Sequence, residues 1–247
     1  MKDNFSVQAA LYAQYRPTYP KTFYDFILNN VELKETAWDC ATGNGQVAVE
    51  LSKHFTKVYA TDISENQISN ASHVENIIYM IEPAEKTTFP DNFFDLITVA
   101  QAIHWFNFDL FYNEVKRVIK DEGLFVAATY DICKSNDATD DVLLYFYRDI
   151  TGPYWDPERK FIDEKYRTIP FPFKEIRTPE LFIESEWSFD QFIGFLNTWS
   201  AVQHYIRKNK ENPVEMVYED FQNSWGDKEK KIFWFPMYLR ATMMEKN

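Results

Sequence analysis

Short apolar runs alternate with amphipathic segments between about residues 36 and 129. This alternation predicts strands separated by helices, which is typical of β-α-β units and of a parallel sheet. The predicted strands are Thr36 to Ala41, Lys57 to Asp62, Ile77 to Ile81, Phe94 to Ala100 and Gly123 to Thr129. The predicted helices are Gln46 to Phe55, a segment that Ser64 caps at its N-terminus, and Leu110 to Ile119.

The pattern changes after residue 130, where tryptophan and proline become frequent. Five of the seven tryptophans lie after residue 150, and seven of the eleven prolines lie between Pro153 and Pro236. We expect helices and loops here. Two late segments, Glu175 to Glu186 and Lys231 to Met243, are strand-like and could pair antiparallel to extend the sheet.

Composition narrows the class of protein. The 247 residues are 45% hydrophobic and 26% charged, as in globular chains, so we expect a single domain overall. There is no apolar run near the roughly 20 residues of a membrane span, and the first thirty residues lack the pattern of a secretory signal. We therefore expect a cytoplasmic protein with no membrane partner.

Charge and cysteine content exclude further classes. The net charge of −12 repels phosphate backbones, so no nucleic-acid partner is expected. Cys40 and Cys133 are far apart in sequence, which fits neither a disulfide framework nor a metal-ligand spacing, so no metal is expected. The sequence does not indicate the oligomeric state.

A glycine turn follows the first predicted strand. Gly43 and Gly45 stand where that strand ends and a helix begins, although the chain has only six glycines. Glycine permits positive φ and close approach of a ligand, and a helix N-terminus offers free N–H groups. Asp62 ends the second strand, where a carboxylate can accept hydrogen bonds from a ribose diol. The same residues could merely shape a turn and cap a helix, but the strand context favours a nucleoside site.

Two nucleoside cofactors are compatible with this turn. Gly43 to Ala48 also matches the G-x-G-x-x-A dinucleotide fingerprint, so an NAD(P)-dependent oxidoreductase is an alternative. Asp39 argues against it, because a carboxylate at the strand end repels a diphosphate. The same carboxylate attracts the ammonium and sulfonium of S-adenosylmethionine.

The chain resembles the class I S-adenosylmethionine-dependent methyltransferases, in particular the group similar to trans-aconitate methyltransferases. The segments that carry the resemblance are Tyr15 to Pro20, Asp39 to Gly45, Pro83 to Glu85, Phe94 to Phe106 and Val115 to Leu124. The resemblance implies an α/β fold, a Rossmann-like doubly wound sheet of seven strands, mostly parallel with an antiparallel last strand. It also implies a helical, aromatic-rich lid.

The resemblance further implies which residues bind S-adenosylmethionine. The turn would pass under the methionine moiety, Asp62 would bind the ribose, and Ile63 would pack on the adenine. Ala84 and Glu85 would lie at the adenine edge, and the end of the fourth strand would meet the amino group. The full set of expected cofactor-binding residues is Asp39, Ala41, Thr42, Gly43, Gly45, Asp62, Ile63, Ala84, Glu85, Ala100 and Gln101.

Two residues depart from the family pattern. Ala41 stands in place of the first glycine of D-x-G-x-G-x-G, which adds a methyl group against the cofactor. Pro83 stands in place of an adenine-binding acid, so adenine recognition must rest more on Ala84 and Glu85. Neither change removes the site.

His104 is the candidate catalytic residue, because it follows the fourth strand at the crevice where substrate should enter. It could take a proton or bond an acceptor oxygen, or it could simply pack beside Trp105. The candidate substrate-binding residues are Tyr12, Tyr15, Arg16, Trp105 and Trp199. Arg148 and Arg207 could select an acidic acceptor, and Tyr154, Trp155 and Tyr205 are expected in the lid.

The sequence therefore predicts three regions: residues 1–35 as an N-terminal helical cap, 36–130 as the cofactor-binding core, and 131–247 as a substrate-side insertion with the final strands. The expected activity is methyl transfer to a small-molecule acceptor, with a carboxylate or hydroxyl as the candidate acceptor group. A catalytically silent nucleoside-binding module is a second alternative, because a fold and a cofactor site do not determine function.

Overall fold

The computed structural model describes residues 15–245, which form an α/β fold around one seven-stranded sheet. The strands lie in the order β3-β2-β1-β4-β5-β7-β6. Neighbours pair in parallel from β3 to β5, whereas β7 is antiparallel to both β5 and β6. The strands are β1 (Thr36–Cys40), β2 (Lys57–Asp62), β3 (Ile77–Ile81), β4 (Phe94–Ala100), β5 (Ile119–Tyr130), β6 (Leu181–Ser188) and β7 (Lys230–Met243).

The expected fold, a mostly parallel doubly wound sheet whose last strand is antiparallel, is confirmed. Residues 131–245 add β6 and β7 to the sheet that residues 36–130 begin. Two strand starts differ from the prediction by more than two residues. β6 begins at Leu181 and not at Glu175, and β5 begins at Ile119 because the chain enters it directly from the preceding helix.

Nine α-helices surround the sheet in the described part of the chain. They are α1 (Lys21–Asn30), α2 (Gln46–Leu51), α3 (Glu65–Ser69), α4 (Phe108–Val118), α5 (Thr139–Tyr145), α6 (Arg159–Asp163), α7 (Phe189–Asn197), α8 (Ser200–Asn209) and α9 (Tyr218–Trp225). Short helical turns occur at Ile103–Trp105, Phe146–Ile150, Gly152–Tyr154 and Pro213–Val217. The described helices are too short or too polar to cross a membrane.

Local sequence explains the helix starts. Ser64 caps α3 by accepting a hydrogen bond from Gln67 N, as predicted, and Asn107 caps α4 in the same way at Leu110 N. A capping box between Ser188 and Gln191 begins α7 directly after β6. The helix predicted from Gln46 to Phe55 ends earlier, at Leu51, and continues as turns.

The core lies on both faces of the sheet, since successive side chains of a strand point to opposite faces. In β5, Leu124 and Val126 join the cluster that packs under α1, α2, α7 and α9, whereas Phe125 joins the cluster under α4. Strands buried on both faces are apolar almost throughout, which explains the short apolar runs in the sequence. Because β1, β2 and β4 are parallel and in register, their carboxyl ends meet at one edge of the sheet.

Candidate functional site

A cleft opens where β1, β2 and β4 end. This is the edge at which open parallel sheets bind ligands, between strands that lead to opposite faces. The residues that line the cleft are Tyr19, Asp39, Ala41, Thr42, Gly43, Asn44, Gln46, Val47, Asp62, Ile63, Ser64, Gln67, Ala100, Gln101, Ala102 and Trp105. Eight of the eleven predicted cofactor-binding residues are among them.

The glycine turn and the acid of β2 hold each other in place. Asp62 accepts a hydrogen bond from Gly43 N at 2.9 Å through one oxygen, and from Ser64 N at 2.9 Å through the other. Gly43 has φ of +58°. Ala41, which replaces a family glycine, adopts φ of +54°, a conformation that costs a residue with a side chain about 1–2 kcal/mol. The backbone at Ala41 thus adopts the positive φ that glycine favours, although the residue is alanine.

Asp39 lies beneath the turn and is only 1% exposed. One oxygen accepts from Thr42 Oγ1 at 2.5 Å and from Ala48 N at 3.1 Å, and the other accepts from Thr98 Oγ1 at 3.0 Å. Burial, helped by the charge of Asp62, nevertheless raises the pKa of Asp39 to about 6. Asp39 therefore both braces the turn and places a negative charge beside the cleft, which a cationic ligand would stabilise.

Three predicted cofactor-binding residues do not line the cleft. Gly45, at φ of +87°, faces β3, where an added Cβ would lie 2.4 Å from Tyr79 Oη. It is therefore a packing glycine at the start of α2. Ala84 is buried in the core under α4, and Glu85 accepts a hydrogen bond from Asn107 N at 3.1 Å. Local motif matching could not separate residues that face the cleft from residues that support it.

The cleft fits S-adenosylmethionine. Two carboxylates, Asp39 and Asp62, suit a ligand with two positive centres and a ribose diol. Gln67, which was not predicted, lines the cleft, and its buried Oε1 has no hydrogen-bond partner within residues 15–245. A buried acceptor without a partner is costly, so a ligand that donates a hydrogen bond there would be stabilised.

A second cavity adjoins the first, and Gln101 and Trp105 line both. It is built from segments far apart in sequence. Its lining residues are Arg16, Gln101, His104, Trp105, Tyr130, Asp131, Ile132, Trp155, Asp156, Arg159, Ile162, Phe195, Trp199 and Ser200. An aromatic wall with a few polar groups is typical of a pocket for a small molecule.

His104 lies in the wall of this second cavity and is 5% exposed. Its Nδ1 is 2.8 Å from Tyr166 Oη, and its ring packs against Trp105 with centroids 5.0 Å apart. Burial, together with the nearby positive charge of Arg159, lowers the pKa of His104 to about 3. The imidazole is therefore neutral at physiological pH.

Two arginines differ in how they are held. The terminal nitrogens of Arg16 donate to Tyr130 Oη and to the Thr198 carbonyl, each at 3.2 Å. Arg159 Nε donates to Tyr147 Oη at 2.7 Å, and its guanidinium stacks over the Trp155 ring at 4.6 Å. The terminal nitrogens of Arg159 have no hydrogen-bond partner between residues 15 and 245.

The predicted substrate-binding residues divide three ways. Arg16, Trp105 and Trp199 line the second cavity. The ring of Tyr15 lies against Gly194, where an added Cβ would come within 2.7 Å, and lines neither cavity. Tyr12 lies outside the described residues.

The arginines proposed from sequence as selectors of an acidic acceptor are placed differently. Arg148 and Arg207 are exposed and line neither cavity. Arg159 lines the second cavity instead, although its neighbours in sequence do not distinguish it from a surface arginine. Its only signal is proximity to Trp155 in the aromatic-rich segment.

Comparison with known proteins matches this chain to methyltransferases. Residues 38–127 match the family described as a methyltransferase domain. A protein of Dictyostelium discoideum, provisionally named a methyltransferase, is 33% identical over 98% of this chain and 95% of its own length. A yeast protein named as a probable S-adenosylmethionine-dependent methyltransferase, from Saccharomyces cerevisiae, is 22% identical over 85% of this chain and 84% of its own length.

Solved structures show the same architecture. A provisionally named type II methyltransferase from Anaeromyxobacter dehalogenans superposes with a TM-score of 0.87 and 33% identity, over 94% of this chain and all of the other. The agreement extends over the C-terminal half, which contributes most of the second cavity.

Proposed function

This chain belongs to the class I S-adenosylmethionine-dependent methyltransferases, and on that premise we propose that it methylates the hydroxyl oxygen of a small acceptor that also carries a carboxylate. The observation that carries the proposal is the meeting of the two cavities at Gln101 and Trp105. A cofactor in the first and an acceptor in the second would lie side by side. A cavity of this kind suits a small molecule better than a macromolecular segment.

The residues of the first cavity would hold the cofactor. Asp62 would accept hydrogen bonds from the ribose, Asp39 would supply negative charge for the cationic end, and the turn at Gly43 would allow close approach. When bound, S-adenosylmethionine supplies a methyl group on a positively charged sulfur. Such a displacement needs an aligned acceptor and exclusion of water more than it needs strong acid or base chemistry.

The environment of Arg159 is the reason for proposing that the acceptor carries a carboxylate. Two acids, Asp131 and Asp156, share the cavity with two arginines, so its charges balance before the acceptor binds. Arg159 is the cation whose terminal nitrogens have no hydrogen-bond partner among the described residues, and a carboxylate can accept from both. The stacked Trp155 ring holds the guanidinium in the cavity wall.

The neutral side chain of His104 is the reason for proposing that a hydroxyl group is methylated. A neutral imidazole can accept the hydrogen bond of a hydroxyl group and orient its oxygen lone pair toward the methyl donor. As the new carbon–oxygen bond forms and the carbon–sulfur bond breaks, the hydroxyl proton passes to His104 Nε2 and then to solvent. A carboxylate bound at Arg159 also screens one of the two causes that lower the pKa of His104, which makes the imidazole a better base.

The test uses methyl-labelled S-adenosylmethionine with matched acceptors: small hydroxy acids, the same acids without the hydroxyl, and their neutral esters. We expect label in the hydroxy acids and, with a higher KM, in their neutral esters, in both as an alkali-stable ether, and no label in the acids that lack the hydroxyl. An alkali-labile methyl ester, or equal turnover of the acid that lacks the hydroxyl, would contradict the proposal.

A pair of arginine variants tests the carboxylate contact. Arg159→Gln should raise KM for the acid by about 10- to 100-fold, the loss of a hydrogen bond to a charged group, and leave KM for the neutral ester nearly unchanged. Arg148→Gln is the matched control, since Arg148 is exposed and lines neither cavity. Equal effects on acid and ester would exclude Arg159 as the carboxylate contact.

A further inference from the structure

The second cavity is lined by charges of both signs. Its lining residues include two arginines, Arg16 and Arg159, and two acids, Asp131 and Asp156. His104, in the same wall, is neutral because its pKa is lowered to about 3. With both acids ionised, the formal charges of the lining side chains sum to zero. The cavity as a whole therefore does not attract an anion, and the contacts of each charged group decide which ligand fits.

Two of the four charged side chains already contact other parts of the protein. The terminal nitrogens of Arg16 donate to Tyr130 Oη and to the Thr198 carbonyl, each at 3.2 Å. Asp156 Oδ2 lies 3.7 Å from His204 Nδ1. The other arginine and the other acid of the cavity retain groups with which a ligand can interact.

Asp131 is the acid that retains such a group. It follows the last residue of β5 and is half-buried. Its Oδ1 accepts a hydrogen bond from Ile132 N at 2.7 Å, whereas Oδ2 has no hydrogen-bond partner in the described part of the chain and is not enclosed by protein. Burial raises the pKa of Asp131, although that hydrogen bond and the charge of Arg159 act in the opposite direction. A cation bound beside this carboxylate would stabilise its charged form.

Arg159 lines the same cavity without pairing with Asp131. Its Nε lies 3.3 Å from Asp163 Oδ1, and its guanidinium stacks over the Trp155 ring. Its terminal nitrogens have no hydrogen-bond partner among residues 15–245. Asp131 and Arg159 form no ion pair with each other within those residues, although both line the cavity. A cation and an anion kept apart in one cavity match a ligand that carries both charges.

We propose that the acceptor is a zwitterion, a small hydroxyl-bearing amino acid whose ammonium group binds Asp131 while its carboxylate binds Arg159. The inference rests on the proposed function, which supplies the hydroxyl and the carboxylate, and it adds a third recognised group. A zwitterion leaves the net charge of the cavity at zero, whereas a simple hydroxy acid adds an uncompensated negative charge to a partly buried site. The ammonium has three N–H donors, one of which Asp131 Oδ2 can accept.

The contact with Asp131 also determines which atom of the acceptor reacts. A protonated nitrogen has no lone pair with which to attack a methyl group, and a neighbouring carboxylate favours the protonated form. The carbon–oxygen bond therefore forms at the hydroxyl, the carbon–sulfur bond breaks, and the hydroxyl proton passes to His104. The products are the O-methyl amino acid and S-adenosylhomocysteine.

Calorimetric titration of the full chain, with S-adenosylhomocysteine already bound, tests the ammonium contact without turnover. Two matched series serve as probes: serine with hydroxypropionate and N-acetylserine, and tyrosine with hydroxyphenylpropionate and N-acetyltyrosine. Within a series the ligands share a hydroxyl and a carboxylate, but only the amino acid carries an ammonium. We expect serine or tyrosine to bind about tenfold or more tightly than its two matched ligands, the range for a hydrogen bond to a charged group. Equal affinity throughout both series, or no binding by either amino acid, would overturn the proposal.

A variant of Asp131 tests which residue makes the contact. Asp131→Asn keeps the shape of the side chain and an acceptor for Ile132 N but removes the charge. It should weaken binding of the amino acid about tenfold or more and leave the matched hydroxy acid unchanged or tighter, because the cavity then has a net positive charge. Asp149→Asn is the matched control, since Asp149 is exposed and lines neither cavity. Unchanged affinity for S-adenosylhomocysteine shows that each variant is folded. Equal weakening of all three ligands of a series would exclude Asp131 as the ammonium contact.

Transfer of labelled methyl groups separates this inference from the proposed function. Label on the hydroxyl of the amino acid, with a higher kcat/KM than for the matched hydroxy acid, supports both. If the hydroxy acids are methylated at least as efficiently as the amino acids, the zwitterion is refuted and the proposed function stands. If the ammonium contact holds in calorimetry but no label reaches a hydroxyl, the proposed function is refuted and the contact stands. Label on the amino nitrogen would refute both.

Discussion

Gly43 and Gly45 stand two positions apart in one turn, and the structure gives them different tasks. Both have positive φ, +58° and +87°. A Cβ on Gly45 would lie 2.4 Å from Tyr79 Oη, which is itself held by a hydrogen bond to the Ser72 carbonyl at 3.0 Å. A Cβ on Gly43 would meet nothing closer than Gln67 Oε1 at 3.9 Å, but it would enter the cofactor cleft.

The expected losses of stability follow from these distances. Positive φ costs an alanine about 1–2 kcal/mol at either position, and its lower entropy in the unfolded chain returns about 0.4–1 kcal/mol. Overpacking against Tyr79 adds about 1–3 kcal/mol at Gly45 alone. We therefore expect Gly43→Ala to lower the free energy of unfolding by about 1 kcal/mol and Gly45→Ala by about 2–4 kcal/mol.

Two assays separate the tasks. Urea unfolding gives the stability of each variant, and calorimetric titration with S-adenosylhomocysteine gives affinity. Gly43→Ala should lose about tenfold or more in affinity, or about 1.4 kcal/mol, because the new methyl group occupies the cleft. Gly45→Ala should keep most of the affinity in its folded fraction, and adding Tyr79→Phe should recover part of its stability.

The reasoning would be refuted by equal losses of stability in the two variants. It would also be refuted if Gly45→Ala lost affinity while Gly43→Ala kept it. Either result would mean that Gly45, and not Gly43, faces the cofactor.

Three further predictions concern single side chains. Tyr112→Phe should stabilise the protein by about 1 kcal/mol, since it removes a buried hydroxyl with no hydrogen-bond partner among the described residues; a loss of stability in urea unfolding would contradict this. Asp62→Ala should weaken S-adenosylhomocysteine binding by about 1–3 kcal/mol through loss of a charged acceptor, and unchanged calorimetric affinity would exclude Asp62 from the site. Because burial raises the pKa of Asp39 from 3.8 to about 6, the folded state binds the extra proton between these values. Stability of the free protein should fall as pH rises through that window. Affinity for the cationic S-adenosylmethionine should fall as pH drops through about 6, and Asp39→Asn should abolish that dependence in calorimetric titration.

Much of the fold was predictable because its signals are local. The five parallel strands appear as apolar runs at nearly their observed boundaries, and Ser64 marks the start of α3. The late segments were harder to delimit. β6 begins six residues after the predicted start. Within residues 175–180, Ile176 N donates to the Ala241 carbonyl of β7 at 2.9 Å, but Pro179 has no N–H with which to continue a ladder.

The cofactor cleft was predictable for the same reason. The cleft is formed where three strands end: the glycine turn follows β1, Asp62 ends β2, and Ala100 ends β4. Each of these strands is recognisable in the sequence, and parallel pairing brings their ends together. What local pattern could not decide was the direction of single side chains. Gly45 and Glu85 belong to the right segments but face the supporting structure, and Gln67 faces the cleft from a helix that carries no motif.

The sequence by itself determined the class of fold, the positions of its parallel strands along the chain and the edge of the sheet at which the candidate cofactor cleft lies, because periodicity and turn chemistry act over a few residues. Only the tertiary structure decided the second cavity. Arg16, His104, Arg159 and Trp199 meet there from distant segments, and the hydrogen bond between His104 Nδ1 and Tyr166 Oη joins residues 62 positions apart. Such contacts are selected by packing of the whole chain, which no local pattern encodes.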